Sequence, residues 1–361
     1  MTHLIKVKNM LNILIIGVNP GGKGGVSTVI GVQLAAMGCM CNLYHLASTK
    51  GESKIQKIIA VFISIPKCIW LLSTKRIDLV HIHGSMKGSF FRKSIFLAIC
   101  KLFRKKVVYH MHSPAIEHYF SHRPTWKLGL AKWIFNRYDA IIALGEHWKQ
   151  VLTSVAGTHT IIYSVFNAVG KHKLPSSNKS DKFTLFAIGE VGHRKGTYDI
   201  LKIAKKLINC KDIEFRIAGG GDDFDKLKQI CTEEGLDNMV TWLGWVEPEV
   251  RDQEMVNADV FFLPAYHEGM PMAILEGMCA DLPILSTPVG GIPDCVIEGK
   301  TGFLVQPGDI DGFVDRILNL KDNPQLLVSL GKASGERAVT VFSPEQFAEN
   351  IMNVYKKVLN S

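Results

Sequence analysis

The chain has 361 residues, of which 47% are hydrophobic, so it is long enough for two domains that each bury a core. Its eight cysteines include no C-x-x-C pair and lie mostly within apolar patterns, which excludes a disulfide framework and predicts the reduced thiols of a cytoplasmic protein. The formal net charge of +9 is uneven, because residues 1–170 hold 21 Lys and Arg against 5 Asp and Glu, whereas residues 171–361 hold 21 against 28. The basic character, +16 against −7, therefore belongs to the first half.

The chain begins a doubly wound α/β domain with a strand, a glycine-rich loop and a helix. An apolar run predicts the strand at residues 11–17, residues 20–25 form the loop, and a helical pattern follows at residues 26–37. The spacing approaches that of a phosphate-binding P-loop, but Gly24 stands where that motif needs a hydroxyl to hold magnesium. A turn that only needs the positive φ of glycine is the other interpretation.

Residues 54–106 alternate apolar and basic segments, with Asp78 as their single acid. The most apolar stretch, residues 55–72, is interrupted by two lysines and a proline, so we expect that it does not cross a bilayer. A helix predicted at residues 90–103 has an apolar face and basic flanks. This pattern suits either an anionic membrane surface, at the inner face of the membrane, or a core helix with a solvated basic rim.

A strand predicted at residues 107–113 ends where parallel α/β sheets place their ligands, in the loop at its carboxyl end. It carries two histidines. We expect His112 to lie at the ligand-binding edge and His110 to point to the opposite side of the strand as a satisfied core histidine.

Composition predicts the domain boundaries. Residues 171–182 are rich in Ser, Lys and Pro without an apolar period, which predicts a linker between a first domain at residues 1–170 and a second at residues 183–342. Residues 343–361 begin with Ser-Pro-Glu-Gln, a typical helix start, and predict a terminal helix.

Two carboxylates bracket a predicted helix start in the second domain. The apolar run at residues 260–264 predicts a buried strand, and Glu268 and Glu276 follow it, one on the loop and one on the helix. Between them, the amides of Gly269 and Met270 approach the helix N-terminus, where an anionic ligand is favoured. The order of acid, amides and acid predicts a sugar-nucleotide site.

Two D-x-D sequences, at residues 223–225 and 309–311, have the form that some enzymes use to hold a divalent metal ion. Both stand at predicted helix starts, where acidic residues are favoured by the helix dipole. We expect helix capping at each, and therefore no metal ion and no cofactor.

Residues 268–276, E-G-M-P-M-A-I-L-E, resemble the E-x7-E signature of the retaining glycosyltransferases of family 4, the group 1 glycosyltransferases. The resemblance covers the second half of the chain almost end to end, through residues 215–222, 240–244, 283–294 and 299–305, and the first half more thinly. It implies the GT-B fold: two Rossmann-like, doubly wound domains facing a cleft, the first binding the acceptor and the second the donor, with the C-terminal helix crossing back to the first domain.

The resemblance also implies roles for residues in both halves. Glu268 and His112 match catalytic positions near the transferring sugar, and Glu276 matches one that accepts hydrogen bonds from the ribose of the donor. Gly24 and Gly25 match a glycine-rich loop that faces the acceptor and lies close to the donor's phosphates.

The diphosphate contacts depart from the family pattern. Glu190 occupies the position of the usual arginine, a reversal of charge, whereas Lys195 fits the family's K-G pair. Arg194 is the available substitute, so Arg194 and Lys195 are expected to bind the diphosphate. The helix start at Gly269 and Met270 would complete the donor site. Glu190 is left to orient Arg194, to bind a sugar hydroxyl, or to be a surface acid.

The resulting hypothesis is a metal-independent enzyme that moves a sugar from a nucleotide-diphosphate sugar to a hydroxyl of a lipid-linked or polysaccharide acceptor. One alternative is a sugar-nucleotide epimerase or hydrolase on the same fold. Another is a membrane-binding or nucleic-acid-binding protein with a degenerate site. Nucleic acid is disfavoured because few aromatic residues interleave the basic ones and no nucleic-acid-binding motif occurs.

Overall fold

The computed structural model describes residues 10–22, 24–48, 54–86, 88–113, 116–121, 124–156, 159–170 and 175–361. The chain forms two compact units. The first contains residues 1–168 and 344–361, and the second contains residues 169–343.

The strands of the first unit are β1 (Asn12–Gly17), β2 (Asn42–Ala47), β3 (Leu79–Gly84), β4 (Lys106–Met111), β5 (Ala140–Ala143) and β6 (Ile161–Ser164). Its helices, before the terminal one, are α1 (Gly25–Met37), α2 (Lys54–Thr74), α3 (Gly88–Leu102), α4 (Ile116–Ser121), α5 (Thr125–Phe135) and α6 (Glu146–Ala156). The strands form a parallel sheet in the order β2-β1-β3-β4-β5-β6. The order reverses at β1. Right-handed crossovers therefore put α1 on one face and α2, α3 and α5 on the other.

The strands of the second unit are β7 (Phe183–Ile188), β8 (Ile213–Ala218), β9 (Val240–Gly244), β10 (Val260–Leu263), β11 (Ile284–Ser286) and β12 (Gly302–Leu304). Its helices are α7 (Thr197–Lys206), α8 (Phe224–Glu233), α9 (Pro248–Asn257), α10 (Met272–Cys279), α11 (Ile292–Cys295), α12 (Ile310–Asp322) and α13 (Pro324–Val341). This sheet is also parallel, in the order β12-β11-β10-β7-β8-β9. The order reverses at β7, so the loops after β7 and β10 are neighbours, which is where doubly wound sheets bind ligands.

The terminal helix α14 (Pro344–Asn360) belongs to the first unit, where it packs against α1. Both sheets have buried strands such as residues 13–16 and 260–263, as expected for parallel sheets that are covered on both faces. Two doubly wound parallel sheets confirm the predicted fold class. All eight cysteines are free and six of them are buried, as their apolar surroundings predicted.

The predicted linker lies partly outside the described residues, because residues 171–174 are not among them. The remainder, residues 175–182, runs along the second unit without regular structure. There Asn178 donates its backbone N–H to Oδ1 of Asn257 at 2.8 Å, and Nζ of Lys179 lies 2.7 Å from Oδ1 of Asp259.

The apolar stretch at residues 55–72 lies within α2, which continues through Pro66. Among the described residues, no helix is long and apolar enough to cross a membrane.

Candidate active site

The loop between β10 and α10 carries Glu268, and α10 itself carries Glu276, as the sequence predicted. The helix begins directly after Pro271, so the predicted helix start is in place. Gly269 accepts a hydrogen bond through its carbonyl from the backbone N–H of Gly291 at 2.8 Å, which ties the loop to the segment after β11. Met270, next in the loop, is buried.

Glu268 is a buried carboxylate held by two cations. Its Oε1 lies 2.6 Å from Nζ of Lys195 and 3.1 Å from Nη1 of Arg194. The side chain of Glu268 is 7% exposed and that of Lys195 is 13% exposed, against 42% for Arg194. Burial of a charge is strongly unfavourable unless it is paired, so these contacts account for a carboxylate at this position. The structure thus brings the two residues predicted to bind the diphosphate into contact with the carboxylate predicted to lie near the sugar.

Glu190 contacts Arg194 from the other side. Nη2 and Nε of Arg194 lie 2.8 Å and 3.2 Å from Oε2 of Glu190. Arg194 thus bridges Glu190 and Glu268, and of the roles left open for Glu190 the orientation of Arg194 is the one that its contacts support.

The turn that carries Arg194 and Lys195 requires glycine at position 196. Gly196 has φ +75°, and a Cβ there would lie 1.8 Å from the carbonyl oxygen of Pro264, at the end of β10. The backbone N–H of Tyr266 also donates to the carbonyl of Arg194 at 2.9 Å. The loops after β7 and β10 are therefore locked together, which brings Glu268 to the two cations.

Sequence reasoning missed one partner of this site. Arg251, on α9, donates from Nη1 to Oε1 of Glu276 at 2.9 Å. The two residues are 25 positions apart and belong to different helices, so no local pattern signals the contact.

In the first unit, His112 follows β4 directly and donates its backbone N–H to the carbonyl of Gly84 at 2.8 Å. The prediction that His110 points to the opposite side was wrong. Residues two apart in a strand point to the same face, and the rings of His110 and His112 have centroids 4.2 Å apart. Nor is His110 a satisfied core histidine, because neither of its buried ring nitrogens has a hydrogen-bond partner among the described residues.

Burial keeps four histidines of the first unit, His81, His83, His110 and His112, neutral at physiological pH. It lowers the pKa of His112 to about 3. It also lowers the pKa of His81 to about 3, with a smaller contribution from His112, and those of His83 and His110 fall well below the usual value for the same main reason.

The glycine-rich loop after β1 lies at the point where the first sheet reverses its strand order. Gly24 is the N-cap residue of α1 with φ +102°, and Gly25 is the first residue of the helix. The carbonyl of Gly24 accepts the backbone N–H of Ser27 at 3.0 Å. The positive φ expected from a turn is therefore present, and it occurs at a helix N-terminus that is suited to an anion. Lys23 lies outside the described residues.

The D-x-D sequences lie at helix starts, as predicted. Asp309 caps α12 by accepting the backbone N–H of Gly312 at 2.9 Å, and Asp311 lies in the first turn. Asp223 occupies the N-cap position of α8 but makes no capping hydrogen bond through its side chain, and Asp225 lies in that first turn. Capping is thus confirmed for Asp309 and wrong in detail for Asp223.

Comparison with known protein families covers both units. The family described as "Glycosyl transferases group 1" matches residues 171–337, and "Glycosyltransferase Family 4" matches residues 49–169. The chain belongs to the group 1, family 4 glycosyltransferases. The predicted family membership is therefore confirmed, and the epimerase, hydrolase and pure binding alternatives are not favoured.

Individual relatives of this glycosyltransferase are distant. It is 28% identical to 2-deoxystreptamine N-acetyl-D-glucosaminyltransferase of Niallia circulans over 175 residues, 48% of this chain and 45% of that protein. The match thus spans about half of that relative's length. It is 27% identical to UDP-Gal:alpha-D-GlcNAc-diphosphoundecaprenol alpha-1,3-galactosyltransferase of Escherichia coli over 309 residues, 79% of this chain and 76% of that protein.

Solved structures share the fold. HepE from Anabaena, in complex with UDP, superposes with a TM-score of 0.76 and covers 96% of this chain and 100% of HepE. The sequence identity is 16%, so the likeness concerns the fold alone.

Proposed function

We propose that this glycosyltransferase moves a sugar from a nucleotide-diphosphate donor to a hydroxyl of a lipid-linked or polysaccharide acceptor, with retention of the anomeric configuration. The main support is the 2.6 Å contact between Lys195 and Glu268. In such a donor the anomeric carbon is bonded to a phosphate oxygen. The protein groups that meet the sugar and those that meet the diphosphate must therefore be neighbours, as these two are.

The two charges that develop in the reaction have partners of opposite sign at this site. When the glycosidic bond breaks, negative charge grows on the leaving diphosphate and positive charge grows at the anomeric carbon. Arg194 and Lys195 stabilise the diphosphate, while Glu268 lies against the sugar. Because both cations pair with Glu268 before the donor binds, the diphosphate has to replace part of that pairing. Arg194, the more exposed cation, is the one that exchanges partners.

The remaining donor contacts follow from α10 and its neighbour. Glu276 accepts hydrogen bonds from the ribose hydroxyls, and Arg251 holds its carboxylate in place. The helix start at Gly269 and Met270 faces the anionic part of the donor.

His112 is assigned to the transferring sugar. Gly24 and Gly25 are assigned to the acceptor and phosphate loop. These three assignments follow the resemblance of their positions to the family pattern.

A divalent metal has no part in the proposed mechanism, because Arg194 and Lys195 supply two positive charges for the diphosphate. Full activity is expected after dialysis against a chelator. Loss of transfer that magnesium or manganese restores would contradict this.

Uridine is the proposed base of the donor. The Escherichia coli relative is named for UDP-Gal, and HepE was solved with UDP. The same relative is named for an acceptor on diphosphoundecaprenol, which supports a lipid-linked acceptor here.

An exposed apolar face supports peripheral contact with an anionic membrane. On α2, the side chains of Ile55, Phe62 and Ile63 are 71%, 67% and 70% exposed, and Trp70 is exposed near the end of the helix. Soluble proteins rarely leave such a continuous apolar patch in water. Because the first half of the chain carries +16, the partner that suits this face is an anionic lipid surface.

The basic residues at positions 92–93 and 104–106 contribute less to this contact than the sequence predicts. Lys93 is buried and donates to Ser48, and burial lowers the pKa of Lys93 to about 7. Nζ of Lys105 donates to the carbonyl of Ile77 at 2.8 Å. The apolar face of α2 is therefore the main element of the proposed membrane contact, and Arg104, which is exposed, is one of the remaining charges.

The donor assignment is tested by thermal unfolding of the full chain with UDP and a panel of UDP-, GDP- and ADP-sugars. Ligands that bind the native state raise the unfolding temperature in proportion to the logarithm of their concentration. We expect UDP and at least one UDP-sugar to stabilise the protein, and Glu276→Gln to weaken that effect. No stabilisation by any nucleotide sugar would contradict the proposal.

A further inference from the structure

Histidine rings from β3 and β4 cover part of one face of the first sheet. The centroids of His81 and His83 are 4.3 Å apart, and those of His83 and His110 are 5.1 Å apart. The stack follows from the strand register, because His83 pairs with His110 and alternate residues share a face. His81, His83 and His110 are buried, whereas His112 at the end of the stack is partly exposed.

A chain of hydrogen bonds connects His112 to the terminal helix. Nε2 of His112 lies 2.8 Å from Nδ1 of His83, and Nε2 of His83 lies 2.7 Å from Oε1 of Gln33, on α1. Nε2 of Gln33 lies 2.9 Å from the hydroxyl of Tyr355, on α14. That hydroxyl lies 2.6 Å from Nδ1 of His81.

The orientation of the Gln33 side-chain amide determines which atom donates and which accepts in each of these hydrogen bonds. An amide oxygen only accepts, so His83 donates to it through Nε2–H. Neutral imidazole has a single N–H, so Nδ1 of His83 accepts, and the donor to it is Nε2–H of His112. His112 is then left with Nδ1 as its one acceptor.

The amide nitrogen of Gln33 has two partners in this orientation, because it lies 2.9 Å from the hydroxyl of Tyr355 and 3.1 Å from Nδ1 of His81. Nε2 of Gln33 donates to the hydroxyl of Tyr355, and the hydroxyl proton is donated to Nδ1 of His81. A reversed amide would present its NH₂ group to His83 and would reverse every bond as far as His112. Because a tyrosine hydroxyl can donate as well as accept, Tyr355 supports this direction, and the orientation of the Gln33 amide sets the tautomer of His112.

The same cluster has a spacing seen in metal sites, because ring nitrogens of His81, His83 and His110 lie within 4.8 Å of one another. Both nitrogens of His83 already take part in hydrogen bonds, however. A metal ion bound to His83 would have to displace Gln33 or His112. The hydrogen-bond chain accounts for the orientations of His81, His83 and His112 and is the better-supported interpretation.

We propose that Gln33, His83 and Tyr355 are positioning residues that fix His112 as its Nε2–H tautomer, so that Nδ1 accepts a hydrogen bond from a hydroxyl of the transferring sugar. This inference rests on the proposed function, which assigns His112 to the sugar. A neutral acceptor selects a hydroxyl and disfavours a carboxylate or phosphate oxygen at that point. The site is thereby matched to a neutral sugar.

The test is an NMR measurement of the His112 tautomer in the full chain labelled with ¹⁵N-histidine. Loss of signals in His112→Ala identifies the ring. We expect a protonated Nε2 and an unprotonated Nδ1. Gln33→Met removes the acceptor of His83 and the donor to Tyr355, so a second His112 tautomer should appear. The kcat/KM for a UDP-sugar should fall by about tenfold, because the imidazole that meets the sugar is no longer held in one tautomer.

We call the hydrogen-bond chain from Tyr355 through Gln33 and His83 to His112 the relay. Two further variants distinguish disruption of the relay from general destabilisation of the protein. Tyr355→Phe should produce the same change to a smaller extent, and it replaces Gln33→Met if that variant does not fold. Ser64→Ala is the matched control, because it removes a buried hydroxyl that donates to the carbonyl of Ala47 at 2.9 Å and shares no atom with the relay. It should leave the His112 tautomer unchanged.

A protonated Nδ1 in the wild-type protein would overturn the proposal, as would an unchanged His112 tautomer in both relay variants. A failure of the proposed function would give a different result. In that case the tautomer would be fixed as expected while His112→Ala retained full transfer, which would remove His112 from the sugar site and the proposal with it.

Discussion

Arg251 binds the carboxylate of Glu276, with Nη1 and Oε1 2.9 Å apart. The guanidinium also lies 2.8 Å from Oδ1 of its neighbour Asp252, so it is itself fixed. Glu276 is thus held by a residue of another helix before any donor binds. Prior orientation of a binding group reduces the entropy lost when the ligand is bound.

We therefore expect Arg251→Met to weaken donor binding about fivefold, a change of about 1 kcal/mol that is typical of one hydrogen bond. Glu276→Gln should weaken it more, because it alters the group that contacts the ribose. Calorimetric titration with UDP measures both. Arg316→Met is the control, since Arg316 pairs with Glu298 on the surface at 3.6 Å. Undiminished affinity in Arg251→Met would mean that Glu276 needs no support.

Arg194 is expected to have taken over the diphosphate contact that the family pattern gives to position 190. Arg194→Ala should lower transfer at least as much as Lys195→Ala, and Arg194→Lys should recover only part of it, because an ammonium lacks the fork of a guanidinium. Glu190→Gln should have a smaller effect, since it only loosens Arg194. Steady-state rates with a UDP-sugar measure all four. Near-normal affinity and turnover in Arg194→Ala would show that the contact was not relocated.

Because His110 is buried, we expect the stability of the protein to fall at acid pH. Burial, with smaller contributions from His112 and His81, lowers its pKa well below the ordinary histidine value of 6.5. Below pH 6.5 the unfolded chain therefore binds a proton that the native state does not, and stability falls as pH falls, by about 1.4 kcal/mol per pH unit for each such histidine. His110→Leu removes one of these groups and two unpartnered buried nitrogens, so it should flatten the acid side of the curve.

Urea unfolding at pH 8 and pH 5 measures this effect. We expect His110→Leu to match or exceed the wild-type stability at pH 8 and to lose less of it at pH 5. His159→Asn, at an exposed position, is the control. A variant that loses as much stability as the wild type between the two pH values would refute the assignment.

The face of α2 should govern membrane binding. Phe62→Gln with Ile63→Gln should reduce co-sedimentation with anionic vesicles while leaving transfer to a soluble acceptor unchanged. Val328→Gln, at a position of the second unit that is 70% exposed, is the matched control. Binding should rise with anionic lipid and fall with salt, and Arg104→Glu should weaken it. Equal binding to neutral and anionic vesicles, or a stable dimer that the double variant abolishes, would argue against the lipid surface.

The sequence predicted those features that local patterns encode. The apolar pattern and the positions of Gly and Pro predicted β10, the loop with Glu268 and the helix with Glu276. The charge reversal at Glu190 indicated Arg194 as the residue that binds the diphosphate. The sequence did not predict Arg251, nor the contact of Gln33 with Tyr355, which lie 322 positions apart, because such contacts depend on packing between distant elements.

Amphipathic patterns also left open which residues face outward. Lys93 reads as a surface charge but is buried against Ser48, whereas Phe62 reads as a core residue but is exposed. The period of a helix gives the relative positions of its faces, and the tertiary structure decides which of them meets the sheet.

The most direct test of the account is the single-turnover release of UDP from a bound UDP-sugar by wild-type protein and by Glu268→Gln, with and without a membrane lipid extract as acceptor. We predict fast release only with acceptor in the wild type, and a rate at least about tenfold lower in Glu268→Gln at similar donor affinity, because the lost charge stabilises the reacting centre. An undiminished rate in Glu268→Gln, or release that is equally fast without acceptor, would contradict a glycosyl transfer that depends on Glu268.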